Sequence, residues 1–169
     1  MMKVSVIGAG TMGAGIAQIS ATHGHEVCLY DSFDGAIELA EKKLKKILNR
    51  LVEKERITQK ENETILGNIN FTKNVQEIQG SGLVIEAIIE DLEIKQTAFA
   101  EIESLVSEDC IIASNTSSLS IASIASACKK AERVVGIHFF NPAPLMPLVE
   151  IIPAVQTTEA TLNTAKSII

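Results

Sequence analysis

Short apolar runs alternate with longer stretches in which apolar residues recur at three- and four-residue spacing, and the alternation persists along the chain. The runs read as strands near residues 3–8, 26–31, 69–72, 83–88, 111–114, 133–139 and 148–152. The amphipathic stretches read as helices near 11–23, 34–56, 59–66, 92–107 and 119–128. Several runs, among them Leu83-Val84-Ile85, Ile111-Ile112-Ala113 and Val134-Val135-Gly136-Ile137, have no polar face. A strand that is apolar on both sides must be covered on both sides, and the intervening helices supply the covers. The pattern therefore predicts an α/β domain, doubly wound around a mostly parallel sheet. In the helix near 34–56, Ile37, Ala40, Leu44, Ile47, Leu48 and Leu51 form a core-facing stripe, while Lys43, Lys46, Arg50 and Lys54 follow the same spacing on a neighbouring face. No repeat, low-complexity tract or linker interrupts this order, so residues 1–169 read as one domain. A last helix, capped by Thr157 or Thr158, runs to Ile168 and Ile169 without a Gly, Asn or Pro stop, which predicts that the natural protein continues.

Composition narrows the class. At 169 residues and 46% hydrophobic, the chain can bury a sizeable core. Cys28, Cys110 and Cys128 are odd in number and lack Cys-x-x-Cys spacing, so neither a disulfide framework nor a metal site is expected. No apolar run reaches membrane-spanning length, and a first strand starting at Lys3 leaves no room for a leader. These features predict a cytoplasmic protein in a reducing compartment. The net charge of −6 argues against nucleic acid as a partner. Charge is uneven, however: Lys42, Lys43, Lys45, Lys46, Arg50, Lys54 and Arg56 outnumber Glu38, Glu41, Glu53 and Glu55. Such a stripe is ordinarily a solvated helix face; with few aromatic residues for base stacking, its functional alternative is a landing strip for the phosphates of a small anion.

The densest chemical signal lies at the first strand-to-helix junction, Gly8-Ala9-Gly10-Thr11-Met12-Gly13. Gly-x-Gly-x-x-Gly permits a tight turn at Gly8, close approach of a pyrophosphate at Gly10, and close packing at Gly13, with free helix N–H groups facing the anion. Glycines also mark ordinary strand-to-helix turns. Here, though, the second strand, Glu26-Val27-Cys28-Leu29-Tyr30, ends in Asp31, where a carboxylate would accept the hydroxyls of a ribose. A 2′-phosphate would be repelled there, which favours NAD over NADP; the alternative is that Asp31 caps the following helix.

Three further clusters sit at strand ends. Ser114-Asn115-Thr116-Ser117-Ser118 could be ordinary capping residues, and His138, in His138-Phe139-Phe140-Asn141-Pro142, could be a structural histidine. Glu150, in the apolar strand Leu148-Val149-Glu150-Ile151-Ile152, needs a partner, and His138 is the nearby histidine that could supply one. A His–Glu pair beside a nicotinamide has a definite use: the histidine takes the hydroxyl proton as a secondary alcohol is oxidised, and the glutamate fixes its tautomer. Ser117 and Asn141 could then hold the reacting oxygen.

Together with Val84-Ile85-Glu86-Ala87-Ile88-Ile89-Glu90-Asp91, these motifs resemble the L-3-hydroxyacyl-CoA dehydrogenase family, including 3-hydroxybutyryl-CoA dehydrogenases, over nearly the whole chain. The part resembled is the N-terminal Rossmann-type NAD-binding domain. Position by position, the resemblance implies that His138 is the general base, Glu150 its partner, and Ser117 and Asn141 contacts of the substrate oxygen. It implies cofactor contacts from Gly8, Gly10, Thr11, Met12, Gly13, Asp31, Glu90, Lys95 and Asn115, with Glu90 and Lys95 near the nicotinamide. Lys54, with Arg50 and Arg56 as alternatives, matches a family position that approaches CoA.

The implied activity is interconversion of 3-hydroxyacyl-CoA and 3-oxoacyl-CoA. The family also has a C-terminal helical domain, absent from this chain, that completes the acyl pocket and forms a homodimer. The chain alone is accordingly expected to bind NAD but to turn over poorly. Met146-Pro147-Leu148 lacks a lysine usual in single-function members and resembles multifunctional fatty-acid-oxidation proteins. A non-catalytic NAD-binding or structural member, such as the family's lens protein, is the rival reading; the intact Ser117, His138, Asn141 and Glu150 set argues against it.

Overall fold

The computed structural model describes residues 1–169. In its first half, β1 (Lys3–Ile7), α1 (Thr11–Thr22), β2 (Glu26–Tyr30), α2 (Ala36–Glu53), α3 (Gln59–Gly67) and β3 (Ile69–Thr72) follow one another. The second half comprises β4 (Leu83–Glu86), α4 (Leu92–Leu105), β5 (Ile111–Ser114), α5 (Ile121–Ala125), β6 (Val134–Phe139), β7 (Val149–Pro153) and α6 (Glu159–Ile168). They build one seven-stranded sheet in the order β3-β2-β1-β4-β5-β6-β7, parallel throughout except for β7, which runs antiparallel to β6. No helix is long and apolar enough to cross a membrane.

The two-sided apolar runs do what their pattern requires. Val4, Val6, Leu83, Ile85, Ile111 and Ala113 pack with Ile16 and Ala17 of α1, Leu44 and Leu48 of α2 and Ala165 of α6. Their neighbours in sequence, Ile7, Val84 and Ile112, pack on the opposite face with Phe99 and Ile102 of α4 and Ile124 of α5. Alternation along each strand thus divides one sheet between two helical layers. All three cysteines are buried and free.

Some boundaries differ from the sequence reading. The helix expected from residue 34 starts at Ala36, because Gly35, at φ +79°, turns the chain first. The helix expected over 119–128 is confined to Ile121–Ala125: Ser120 caps it, and beyond Ser126 the chain turns to place the N–H groups of Lys129 and Lys130 on the Glu103 carboxylate. The strand expected to reach 88 stops at Glu86. Two short 3-10 turns, Val75–Ile78 and Ala131–Arg133, carried no periodic signal. Of the two candidate caps for the last helix, Thr158 fills the role, accepting the N–H of Thr161.

Candidate active site

The sheet order reverses between β1 and β4, and ligands of open α/β sheets bind where the loops part at such a switch point. Gly8 takes φ +101°, and a Cβ there would stand 2.7 Å from the Ala87 carbonyl oxygen of the β4 loop. At Gly13 the demand is stronger than close helix packing: a Cβ would lie 1.8 Å from the Gly8 carbonyl oxygen. Gly10 differs, since a Cβ there would meet nothing within 4 Å. The open ground lies before the start of α1, where Gly10 provides no side-chain cap and the N–H groups of Thr11, Met12 and Gly13 have no partner in the protein. Free donors at a helix N-terminus facing open space suit a pyrophosphate.

Asp31 stands beside this loop. It does not cap α2; its Oδ2 accepts the Ala9 N–H at 2.7 Å and its Oδ1 the Phe33 N–H at 2.9 Å. Each oxygen keeps a lone pair, so the carboxylate can hold the glycine loop and still accept ribose hydroxyls. The donor and acceptor set therefore fits a dinucleotide.

Two cavities open here and share Asn141. The smaller, of about 350 Å³, is lined by Met12, Glu90, Lys95, Asn115, Ser117, His138 and Asn141, joining residues from both halves of the chain. His138 Nδ1 lies 2.9 Å from Glu150 Oε2, which leaves Nε2 free, and the imidazole sits against Phe140 at a centroid distance of 4.7 Å. Asn115 splices two strand ends: its N–H donates to the Glu86 carbonyl and its Oδ1 accepts the Phe139 N–H at 2.8 Å.

Behind this cleft lies a closed polar ring. The Lys95 ammonium, 1% exposed, donates to Glu86 Oε1 at 2.5 Å and lies 3.2 Å from Glu90 Oε2. Glu86, fully buried, also accepts the Ile88 N–H and, at 2.7 Å, the Ser114 hydroxyl. Ser114 Oγ accepts the Thr116 N–H, and the Thr116 hydroxyl donates to Glu90. Glu90 further accepts the Ser117 N–H at 3.1 Å and the Ser118 hydroxyl. Burial pushes the Glu90 carboxyl up, but the Thr116 hydroxyl and the Lys95 ammonium outweigh that and hold it below the ordinary carboxylate range.

The larger cavity, about 720 Å³, is an apolar groove between α1, α2 and the 141–145 loop. It begins at Gly10, Thr11 and Asp31 and extends past Leu39, Lys43 and Ile47 to Leu51 and Ile57. Arg50, Lys54 and Arg56 line neither cavity; they are exposed beside Leu51 and Ile57 of the groove wall in the chain. Lys43, one of the basic stripe, does line the groove.

Glu86 received no role from the sequence, and Ser114 and Thr116 none beyond helix capping. A signal for Glu86 existed: a carboxylate closing the apolar strand Leu83-Val84-Ile85-Glu86 needs a partner as much as Glu150 does.

Comparison with known proteins gives these features a context. Residues 3–169 match the family model described as 3-hydroxyacyl-CoA dehydrogenase, NAD binding domain. A 3-hydroxybutyryl-CoA dehydrogenase of Clostridioides difficile is 44% identical over 163 residues, covering 96% of this chain and 58% of that protein. The fatty acid oxidation complex subunit alpha of Pseudomonas entomophila is 40% identical over 96% of this chain and 23% of its own length. The crystal structure of (S)-3-hydroxybutyryl-CoA dehydrogenase from Ralstonia eutropha superposes with a TM-score of 0.95 at 37% identity, covering 99% of this chain and 59% of that one. The chain thus spans little more than half the length of the 3-hydroxybutyryl-CoA dehydrogenases it matches.

Proposed function

The chain belongs to the 3-hydroxyacyl-CoA dehydrogenase family as its NAD-binding domain, and from that premise we propose that it supplies the cofactor site and the proton-transfer pair of an enzyme interconverting (S)-3-hydroxyacyl-CoA and 3-oxoacyl-CoA. The observation that carries this reading is the His138–Glu150 pair, with Nδ1 and Oε2 2.9 Å apart, in a cleft that Met12 of the glycine loop also lines.

The N–H groups at the start of α1 and the Asp31 carboxylate would hold NAD, which when bound would supply the acceptor for hydride from the carbinol carbon. The residues do the rest. His138 Nε2 accepts the hydroxyl proton, while Glu150 holds Nδ1–H, fixes the tautomer and stabilises the imidazolium. Ser117 and Asn141, both lining the cleft, hold the reacting oxygen as it passes from hydroxyl to carbonyl. In the reverse direction the same atoms return the proton.

The groove supports a thioester with a long phosphorylated handle. Its apolar walls suit the extended part, and Lys43 along it, with Arg50, Lys54 and Arg56 near its far end, suits the phosphates.

The test is a steady-state assay, in both directions, of the full-length protein carrying this domain, with hydroxyacyl- and oxoacyl-CoAs of short and long chain. Turnover that requires His138 is expected. NAD binding without turnover of any thioester would overturn the catalytic reading in favour of a non-catalytic member.

A further inference from the structure

The ring behind the cleft is charged unevenly. Two carboxylates, Glu86 and Glu90, converge on a single ammonium, that of Lys95. Lys95 is closer to Glu86, at 2.5 Å against 3.2 Å, and that contact is fully buried. A buried pair at hydrogen-bond distance cancels most of its own field outside. Glu90, whose side chain is 38% exposed and which lines the cleft, therefore shares with Glu86 an ammonium that can balance only one of them. The remaining titratable pair, His138 and Glu150, is matched within itself at 2.9 Å.

We propose that Glu86, by sharing Lys95 from behind, leaves the two carboxylates and one ammonium with a net negative charge that Glu90 presents to the cleft, and that this charge tightens binding of oxidised over reduced cofactor. The two forms differ there by one unit: the oxidised nicotinamide ring is cationic and the reduced ring neutral. The inference rests on the reading that the nicotinamide end of NAD occupies the cleft lined by Glu90, Lys95 and His138.

Glu86 is thus a positioning residue acting on the electrostatics of the site through Lys95. A purely structural Glu86, stapling β4 to β5 and α4, would affect both cofactor forms alike. The preference between them separates the two roles.

The experiment is a pair of titrations, NAD and NADH, on the unaltered chain and on Glu86→Gln, which keeps shape and acceptor capacity toward Lys95 but removes one charge. One unit of charge in a partly enclosed site changes affinity for a cation by roughly tenfold. The dissociation constant for NAD is expected to rise by about that factor and that for NADH by less than about twofold.

Ser114→Ala is the control: it cuts the ring at the bond to Glu86 without changing charge, and any loss should fall equally on both forms. If Glu86→Gln does not fold, Glu90→Gln removes the same charge from the partly exposed end and must shift the ratio the same way. An unchanged NAD-to-NADH preference in the folded variant overturns the inference while leaving the cofactor site standing. If the unaltered chain binds neither form, the cofactor reading itself fails and the inference with it.

Discussion

His138 and Glu150 are direct register partners on antiparallel strands, β6 and β7, so the 2.9 Å contact between imidazole and carboxylate is set by the sheet itself. Directly opposed side chains on one sheet face stand within reach without any loop having to order. The pair is therefore as rigid as the ladder beneath it. The edge position of β7 keeps Glu150 half exposed, while His138 is largely covered.

If the full-length protein turns over as proposed, His138→Gln is expected to lower that turnover about 10²- to 10⁴-fold, the span for losing a general acid–base, with NAD affinity nearly unchanged. Glu150→Gln should reduce turnover less and change its pH profile. Stopped assays across pH with parallel NAD titrations check both; near-normal turnover in His138→Gln would assign the proton transfer to another group.

Gly10 and Gly13 should respond in opposite ways. Gly13→Ala sets a Cβ against the Gly8 carbonyl oxygen and is expected to cost about 2–4 kcal/mol of stability. Gly10→Ala meets no protein atom and should cost under about 1 kcal/mol, yet weaken NAD binding tenfold or more, because its methyl stands before the helix N-terminus. Urea unfolding beside calorimetric titration separates the outcomes.

Cofactor choice should favour NAD over NADP by at least about tenfold, the cost of setting a phosphate beside an unscreened carboxylate. The sequence neighbourhood of Asp31 offers no cation, but β3 brings Lys73 close: the Asp31 N–H donates to the Thr72 carbonyl. Lys73 is already held, 2.9 Å from Glu38 and 3.9 Å from Asp34. Asp31→Ser combined with Glu38→Gln should narrow the preference by removing one carboxylate and releasing that lysine. Equal NAD and NADP affinities in the unaltered chain would remove Asp31 from the ribose.

Stability should fall on the alkaline side. Burial pushes the Cys110 thiol up to about 12 and the Cys128 thiol to about 11, from an ordinary value of 9.0. Below about pH 9 both thiols keep their protons whether the chain is folded or not, so they contribute no slope. Between 9 and those raised values the unfolded chain releases protons that the folded chain retains, and stability drops as pH rises. Thermal melting from pH 8 to 11 should show this, with a shallower decline in the Cys110→Ala, Cys128→Ala double variant. Identical slopes would contradict it.

What the sequence disclosed, and what it withheld, follows from how local each signal is. Leu83-Val84-Ile85 and Ile111-Ile112-Ala113 declare two-sided burial in adjacent residues, and Gly8 to Gly13 declares its turn in six positions. The His138–Glu150 pair was legible because a carboxylate in an apolar strand needs a partner, and the nearby histidine proves to be its register partner. The ring through Glu86, Lys95, Glu90, Thr116 and Ser114 was not legible as a unit: it draws on β4 and the loop after it, on α4, and on β5 and the loop after it, and no spacing in one segment encodes their meeting. The shortness of α5 escaped for the same reason, since Glu103 of α4 claims the N–H groups that follow it.

The place of β1 in the sheet bears on how the chain acquires its structure. The first strand of this sheet in chain order is an interior one: Val4 pairs with Val27 on one edge and with Leu83 on the other. The first neighbour arrives with the next strand, but the second waits until β4 has emerged. Closing so long a loop is slow, and until it closes β1 presents an unpaired edge. The turn at Gly8, which abuts Ala87, is completed by that same event. Cofactor would therefore recognise only chains in which the long-range β1–β4 pairing has formed, and by binding them would draw the folding equilibrium toward completion.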